Sequence, residues 1–135
     1  MANGLPSWDC GTQKCDREPV DGLVLCWNEC PLNPTQSYPV VAPTVIEYGQ
    51  PLKLNGVNVE PLLAADAANL LIGFAYGSAD RSATSVFACN DICVVVRESK
   101  LRMSQIKFPV GYTAAQKDAL VAQALTLNIG VNKLA

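Results

Sequence analysis

GYTAAQKDALVAQALTLNIGV, residues 111–131, is the stretch on which the fold turns. Thr113 can cap a helix N-terminus, and Gln116, three residues on, completes a capping box. Leu120, Val121, Ala124, Leu125 and Leu127 then recur at helical spacing as one apolar face. Asn128 suits the left-handed residue that stops a helix, while Pro109 and Gly111 interrupt whatever comes before. Ile129-Gly130-Val131 can rejoin a sheet beyond it. The reading is one late helix, with Leu120, Ala124 and Leu127 facing a core.

Upstream the texture is strand and turn. TVIEY (44–48) ends at Gly49-Gln50-Pro51, and LKLNGVNVEP (52–61) carries Asn55-Gly56, the strongest short hairpin signal, between two alternating runs. NLLIGFAYG (69–77) is an apolar run of strand length, suited to a buried strand. VFACNDICVVVRES (86–99) sets β-forming residues on both sides of the turn-like pair Asn90-Asp91 and is expected to fold as a last hairpin. Together these predict an α+β, β-rich chain: a small mixed-sheet or β-barrel-like domain with one C-terminal helix.

Residues 1–38 differ from the rest. They hold four of the six cysteines and both tryptophans, Trp8 and Trp27, with proline or glycine every few positions. They are expected to be a loop-rich, cysteine-containing extension preceding a domain at 39–135, with DGLVLCW (21–27) as their one candidate strand. The tryptophans are read as packing anchors of that extension.

Composition narrows the function. The 135 residues carry 10 basic and 12 acidic side chains and no histidine, and half are hydrophobic. This leaves no electrostatic footprint for nucleic acid or anionic membranes, so neither is expected as a partner. No stretch approaches the ~18 apolar residues of a membrane helix, and the N-terminus lacks the basic head and apolar run of a signal peptide. The expectation is a soluble product made in a cytoplasm. Without histidine there is no Ser-His or Cys-His dyad. The glycines fall singly, without a phosphate-binding pattern, there is no CxxC, and the body's carboxylates are scattered. No enzymatic activity and no cofactor are expected. Arg81, Arg97, Lys100 and Arg102 are read as solvated.

The cysteines admit three readings. Cys10-x4-Cys15 and Cys26-x3-Cys30 can supply four thiolates to a structural zinc, although such sites favour tighter knuckles. Disulfides are the second: with a three-residue loop, Cys89 and Cys93 would face each other across the hairpin, whereas on one continuous strand four residues span ~13 Å and no bridge forms. Buried free thiols are the third. Disulfides sit uneasily with a reducing cytosol, unless the protein ends in a particle released from the cell.

One resemblance joins these readings. LRMSQIKFPVGYTAAQKDALVAQALTLNIGVNKLA (101–135) resembles the closing segment of the lambda-type bacteriophage head decoration proteins, with Phe108-Pro109, a turn, a helix opened by Thr-Ala-Ala-Gln, and the apolar pair Leu127 and Ile129. NLLIGFAYGSADRSATSVFACNDICVVVRESKL (69–101) is similar to the family's middle portion, with Ile72-Gly73-Phe74 as its Gly-centred strand. The likeness spans residues 40 to 135. It implies a structural virion protein, made in the host cytoplasm, that cements the outer surface of an expanded capsid against internal DNA pressure. It further implies two partners, the major capsid protein and further copies of the chain in a homotrimer at threefold positions, with Val121 and Leu125 as candidate trimer contacts. In the family an N-terminal arm pairs with the capsid protein. By position the matching residues are Pro43, Thr44, Val45, Ile46, Glu47 and Tyr48, whose alternative is a first strand of the domain's own sheet. Residues 1–38 and the cysteines depart from the family. Two rivals remain: a small zinc-binding interaction module built on the four N-terminal cysteines, and another trimeric virion component of a tail or fibre.

Overall fold

A computed structural model describes residues 22–27, 33–82 and 91–135, with the side chains of Cys26 and Trp27 outside that description. Among these residues run ten strands and one α-helix. The strands are β1 (Val24–Trp27), β2 (Thr35–Pro39), β3 (Val45–Ile46), β4 (Pro51–Asn55), β5 (Asn58–Pro61), β6 (Leu71–Ala75), β7 (Ala79–Asp80), β8 (Asp91–Val95), β9 (Ser99–Arg102) and β10 (Ile129–Asn132). The helix is α1 (Ala114–Thr126). They form a five-stranded sheet β2-β8-β6-β4-β5, a three-stranded sheet β1-β9-β10 and a two-stranded ribbon β3-β7. The fold is α+β and β-rich. It is not a closed barrel: the edges β2 and β5 come within 8 Å between Cα atoms without pairing, so the large sheet curls and stays open.

The helix begins where its sequence says it must. Thr113 Oγ1 accepts from the Gln116 N–H at 3.2 Å, and Gln116 Oε1 accepts from the Thr113 N–H at 2.8 Å, satisfying two donors that the first turn would leave open. Asn128, at φ +60°, ends it. Its course follows from its neighbours: β10 lies parallel to β9, from Ile129↔Ser99 to Asn132↔Arg102, and parallel strands need a crossover, which α1 supplies. Leu120 and Ala124 are buried, Leu127 is half-buried against the same core, and Val121 and Leu125 lie off it.

The large sheet separates two cores. Leu71, Phe74 and Val95 pack against Leu23, Val24, Leu101, Leu120, Ala124 and Ile129. Val40, Ile46, Leu52, Val59, Ala79, Ile92, Val94 and Val96 make the second. Strand β6 serves both through a bulge. Leu52 pairs with Gly73 but Lys53 pairs with Leu71, so Ile72 is an extra residue and the in-out alternation slips. Leu71 and Phe74 therefore reach the first core although they are three apart, and Ile72 and Ala75 the second. At Gly73 the neighbouring strand closes in: a Cβ there would collide with the Val95 carbonyl oxygen and meet Val94 Cγ1 at 2.9 Å.

Several expectations shift. The β4–β5 hairpin forms, but Asn55 already pairs with Asn58, so its loop is Gly56-Val57. Positive φ at Gly56 alone is the pattern of a type II′ turn, not the type I′ turn that Asn-Gly favours. The expected last hairpin is overturned: Asp91 and Ile92 belong to β8, which pairs with β2 from Thr35↔Val95 to Pro39↔Asp91. The chain turns later, at Glu98 (φ +54°), and β9 joins a different sheet. The division at residue 38 also fails to separate the packing. Leu23 and Val24 lie in the first core, β1 pairs with β9, and β2 forms an edge of the large sheet. Residues 1–21 and 28–32 lie outside the described residues.

One loop ties three elements together. Asp66 Oδ2 accepts from Lys53 Nζ at 2.7 Å and from the Leu63 N–H at 2.8 Å, while Gln116 Nε2 donates to the Ala64 carbonyl at 3.1 Å. The lysine, then the Leu63 amide, hold the Asp66 carboxyl below the usual aspartate range, and the same hydrogen bond raises Lys53. Asp80 is held low by the Ser82 hydroxyl and then its N–H.

Two expectations can be measured. Gly73→Ala forces the β6–β8 contact apart and should cost about 1–3 kcal/mol by urea denaturation. Gly77→Ala, with nothing within 4 Å of a Cβ, should stay within about 0.5 kcal/mol. An aspartate whose folded pKa is depressed contributes stability above its unfolded pKa of about 4, and loses it as pH falls through the lower folded value. Between pH 6 and 2 the urea midpoint should therefore fall, and Asp66→Asn should flatten that fall without abolishing it, because Asp80 acts with the same sign.

Candidate functional site

The residues aligned with a capsid-binding arm, 43–48, are built into the domain. Ala42-Pro43 is a cis peptide, and the Thr44 N–H donates to the Val41 carbonyl at 2.9 Å. Val45 then pairs with Asp80 and Ile46 with Ala79, and Ile46 is 1% exposed in the second core. Glu47 meets Lys107 Nζ at 2.8 Å, and its N–H donates to Gln50 Oε1. Tyr48 Oη accepts from the Leu23 N–H at 2.9 Å, and its ring lies 6.0 Å from that of Tyr76. The free-arm reading gives way to its alternative, a short strand of the chain's own sheet, because Ile46 needs the core and Tyr48 satisfies β1. Val41, Pro43 and Val45 remain exposed on its outer side.

Three of the four cations read as solvated are instead fasteners for the first forty residues. Arg102, 8% exposed, donates from Nη1 to the carbonyls of Gly22 at 2.8 Å and Val24 at 3.1 Å. Arg97 donates to the Asn33 carbonyl, and Arg81 to that of Val40 at 2.9 Å. Each guanidinium thus comes from a later strand or its flank and holds an earlier backbone, a use suited to a forked, permanently charged donor. Sequence pattern gives no sign of this, since the partners are carbonyls 41 to 80 residues away. Lys100 is exposed, as expected.

The cysteine readings fall mostly outside the described residues. Cys10, Cys15, Cys30 and Cys89 lie there entirely, as does the side chain of Cys26, so the zinc reading and its four ligands do too. Cys93 is a half-buried free thiol in the middle of β8, opposite Ser37. The three-residue loop that would bring it face to face with Cys89 does not form. Among the described residues no three His, Cys, Asp or Glu side chains gather as a metal site, and no helix is long and apolar enough to cross a membrane.

The outward apolar residues are the remaining candidates for contact. Val110, 97% exposed, tops the turn before α1, where Phe108 stacks on Tyr112 at 6.0 Å and Lys117 Nζ lies 5.3 Å from the Phe108 ring centre. Burial raises the pKa of Tyr112, helped by the charge of Asp66. On the helix, Leu125 is 65% exposed and Val121 half-buried, which leaves both of the sequence-nominated contact residues reachable. The chain matches no family model and no curated protein sequence.

Removing a buried guanidinium should expose how much the N-terminal strands depend on it. Arg102→Met strands two buried carbonyls and should cost about 1.5–3 kcal/mol. Lys133→Met, which breaks only the exposed 3.0 Å pair with Asp118, should cost about 0–1 kcal/mol. Equal losses in chemical denaturation would remove Arg102 from this role.

Proposed function

We propose that this chain is a structural virion protein: a head decoration protein that binds the outer surface of an expanded phage capsid and stabilises it against the pressure of packaged DNA. The observation that carries the reading is the folding of residues 101–135, the stretch resembling the decoration proteins, as one continuous unit. Strand β9 leads through the Pro109 turn into the capped helix, and β10 returns beside β9. The Gly-centred strand Ile72-Gly73-Phe74 of the likeness lies within β6, between β8 and β4.

A cement protein has to transmit load without yielding. Two cores on either side of one sheet, with early strands buttoned down by later arginines, suit that demand. Its partners in this reading are the major capsid protein and two further copies of itself. Three modest contacts made at once bind far more tightly than one, because the second and third are intramolecular. A homotrimer at a threefold axis offers the shell three identical faces.

The test is sedimentation with empty shells of the cognate major capsid protein, before and after expansion, together with native mass by light scattering. The expected result is co-sedimentation with expanded shells only, saturating at a multiple of three copies per site. Failure to bind expanded shells, or equal binding to both forms, would overturn the proposal.

A further inference from the structure

The sheet edges are not equally protected. Strand β1 is bulged between Val24 and Cys26, β2 ends in Pro39, and β5 closes with Glu60-Pro61, all devices that discourage pairing with another chain. Strands β3 and β7 are two residues long. Strand β10, Ile129-Gly130-Val131-Asn132, has no charge, no proline and no bulge. Its register also fixes which peptide groups point away from β9. The Ser99 N–H donates to the Asn128 carbonyl, and in a parallel ladder the bonds of Ser99 and Leu101 straddle their partners. The peptide groups of Ile129 and Val131 therefore face away from β9; Ile129 is fully buried, so the edge presents those of the half-buried Val131.

Beside that edge runs a groove of about 300 Å³, walled by Val121 and Leu125 of α1 on one side and by Gly130, Val131, Asn132 and Lys100 on the other. The Lys100 stem lies over Gly130, with Cγ and Cε each 3.9 Å from where a Cβ would stand. Lys133 is engaged with Asp118, whereas Lys100 has no ion-pair partner among the described residues. A strand edge and a cation that are both unpaired among the described residues, beside an apolar wall, specify a complementary occupant: an extended segment that pairs with Val131, sets apolar side chains against Val121 and Leu125, and brings a carboxylate to Lys100.

We propose that the β10 edge is a strand-addition site for a partner protein's extended segment of alternating apolar residues carrying an acidic side chain. The inference does not rest on the capsid reading, and shell binding neither supports nor removes it.

The probe is the capped hexapeptide VTVEVT, titrated into the full chain by amide NMR, with VTVKVT as its charge-reversed counterpart. The expected result is saturable shifts at Val131, at least fivefold slower hydrogen exchange of the Val131 amide, and at least threefold weaker binding of the lysine peptide. Lys100→Glu should invert that preference, and Leu125→Lys, at a position already mostly in water, should weaken both peptides while leaving the chain's melting temperature unchanged. Shifts absent from β10, or binding indifferent to both charge exchanges, would overturn the proposal. A chain that self-associates with its Val131 amide already protected would overturn it too, assigning the edge to a second copy.

Discussion

At Gly73 two strands approach so closely that a single methyl group has no place. Strands β6 and β8 pair at only two positions, Phe74↔Val95 and Ala75↔Val94, and much of the structure hangs on that narrow seam. On one side of it β8 carries β2, on the other β6 carries β4 and β5. The bulge at Ile72 lets one strand feed both cores, and the bare backbone at Gly73 lets β8 close over the irregularity. A side chain there would move the Val95 backbone, and with it the sheet that divides the two cores. The same residue is thus a packing requirement for both halves, which is why space, and not turn geometry, explains a glycine in the middle of a buried strand.

A second constraint acts at long range. The early strands β1 and β2 lie in different sheets, so no local hairpin can hold them. They are fixed by ladders to β9 and β8 and by the guanidinium groups of Arg102, on the Gly22 and Val24 carbonyls, and Arg97, on that of Asn33 just before β2. Tyr48 adds the acceptor for the Leu23 N–H. A buried arginine without a carboxylate is costly unless carbonyl oxygens replace its water. Here the desolvation is offset only when β1 is in place, so the charge and the strand depend on each other.

These two constraints also explain what could be read from the sequence. Signals confined to a few neighbouring residues were legible: the Thr113–Gln116 box, the left-handed Asn128, the hairpin near Asn55-Gly56 and the apolar run that became β6. Signals that depend on a distant partner were not. Asn90-Asp91 resembles a turn, but Ile92, Val94 and Val96 alternate toward one core, and β2, more than fifty residues earlier, supplies the other half of the ladder. Proline and glycine near residues 1–38 suggested a separate extension, although Leu23 and Val24 complete a core whose other members begin at Leu62. Of the candidate site, periodicity placed Val121 and Leu125 on the apolar face of the helix, and only the resemblance singled them out as contact residues. Pro43–Tyr48 carried two readings, arm or strand, because an exposed proline ahead of an alternating run looks alike in a free arm and in a short ribbon, until Ile46 is seen to be buried.

The topology of the C-terminal third produces its surface. Because β10 is parallel to β9, the chain must cross between them through α1, and because Leu120 and Ala124 seat the helix on the core, its next residues fall beside the outermost strand. An edge strand and an apolar wall are therefore created together by one connection. Were β10 antiparallel, a tight turn could join it to β9 and no helix would be needed there. The crossover that completes the core also leaves Val121 and Leu125 next to an edge strand of four residues that carries no protective charge, proline or bulge. A surface with this geometry is suited to contact between proteins, whichever protein supplies the opposing strand.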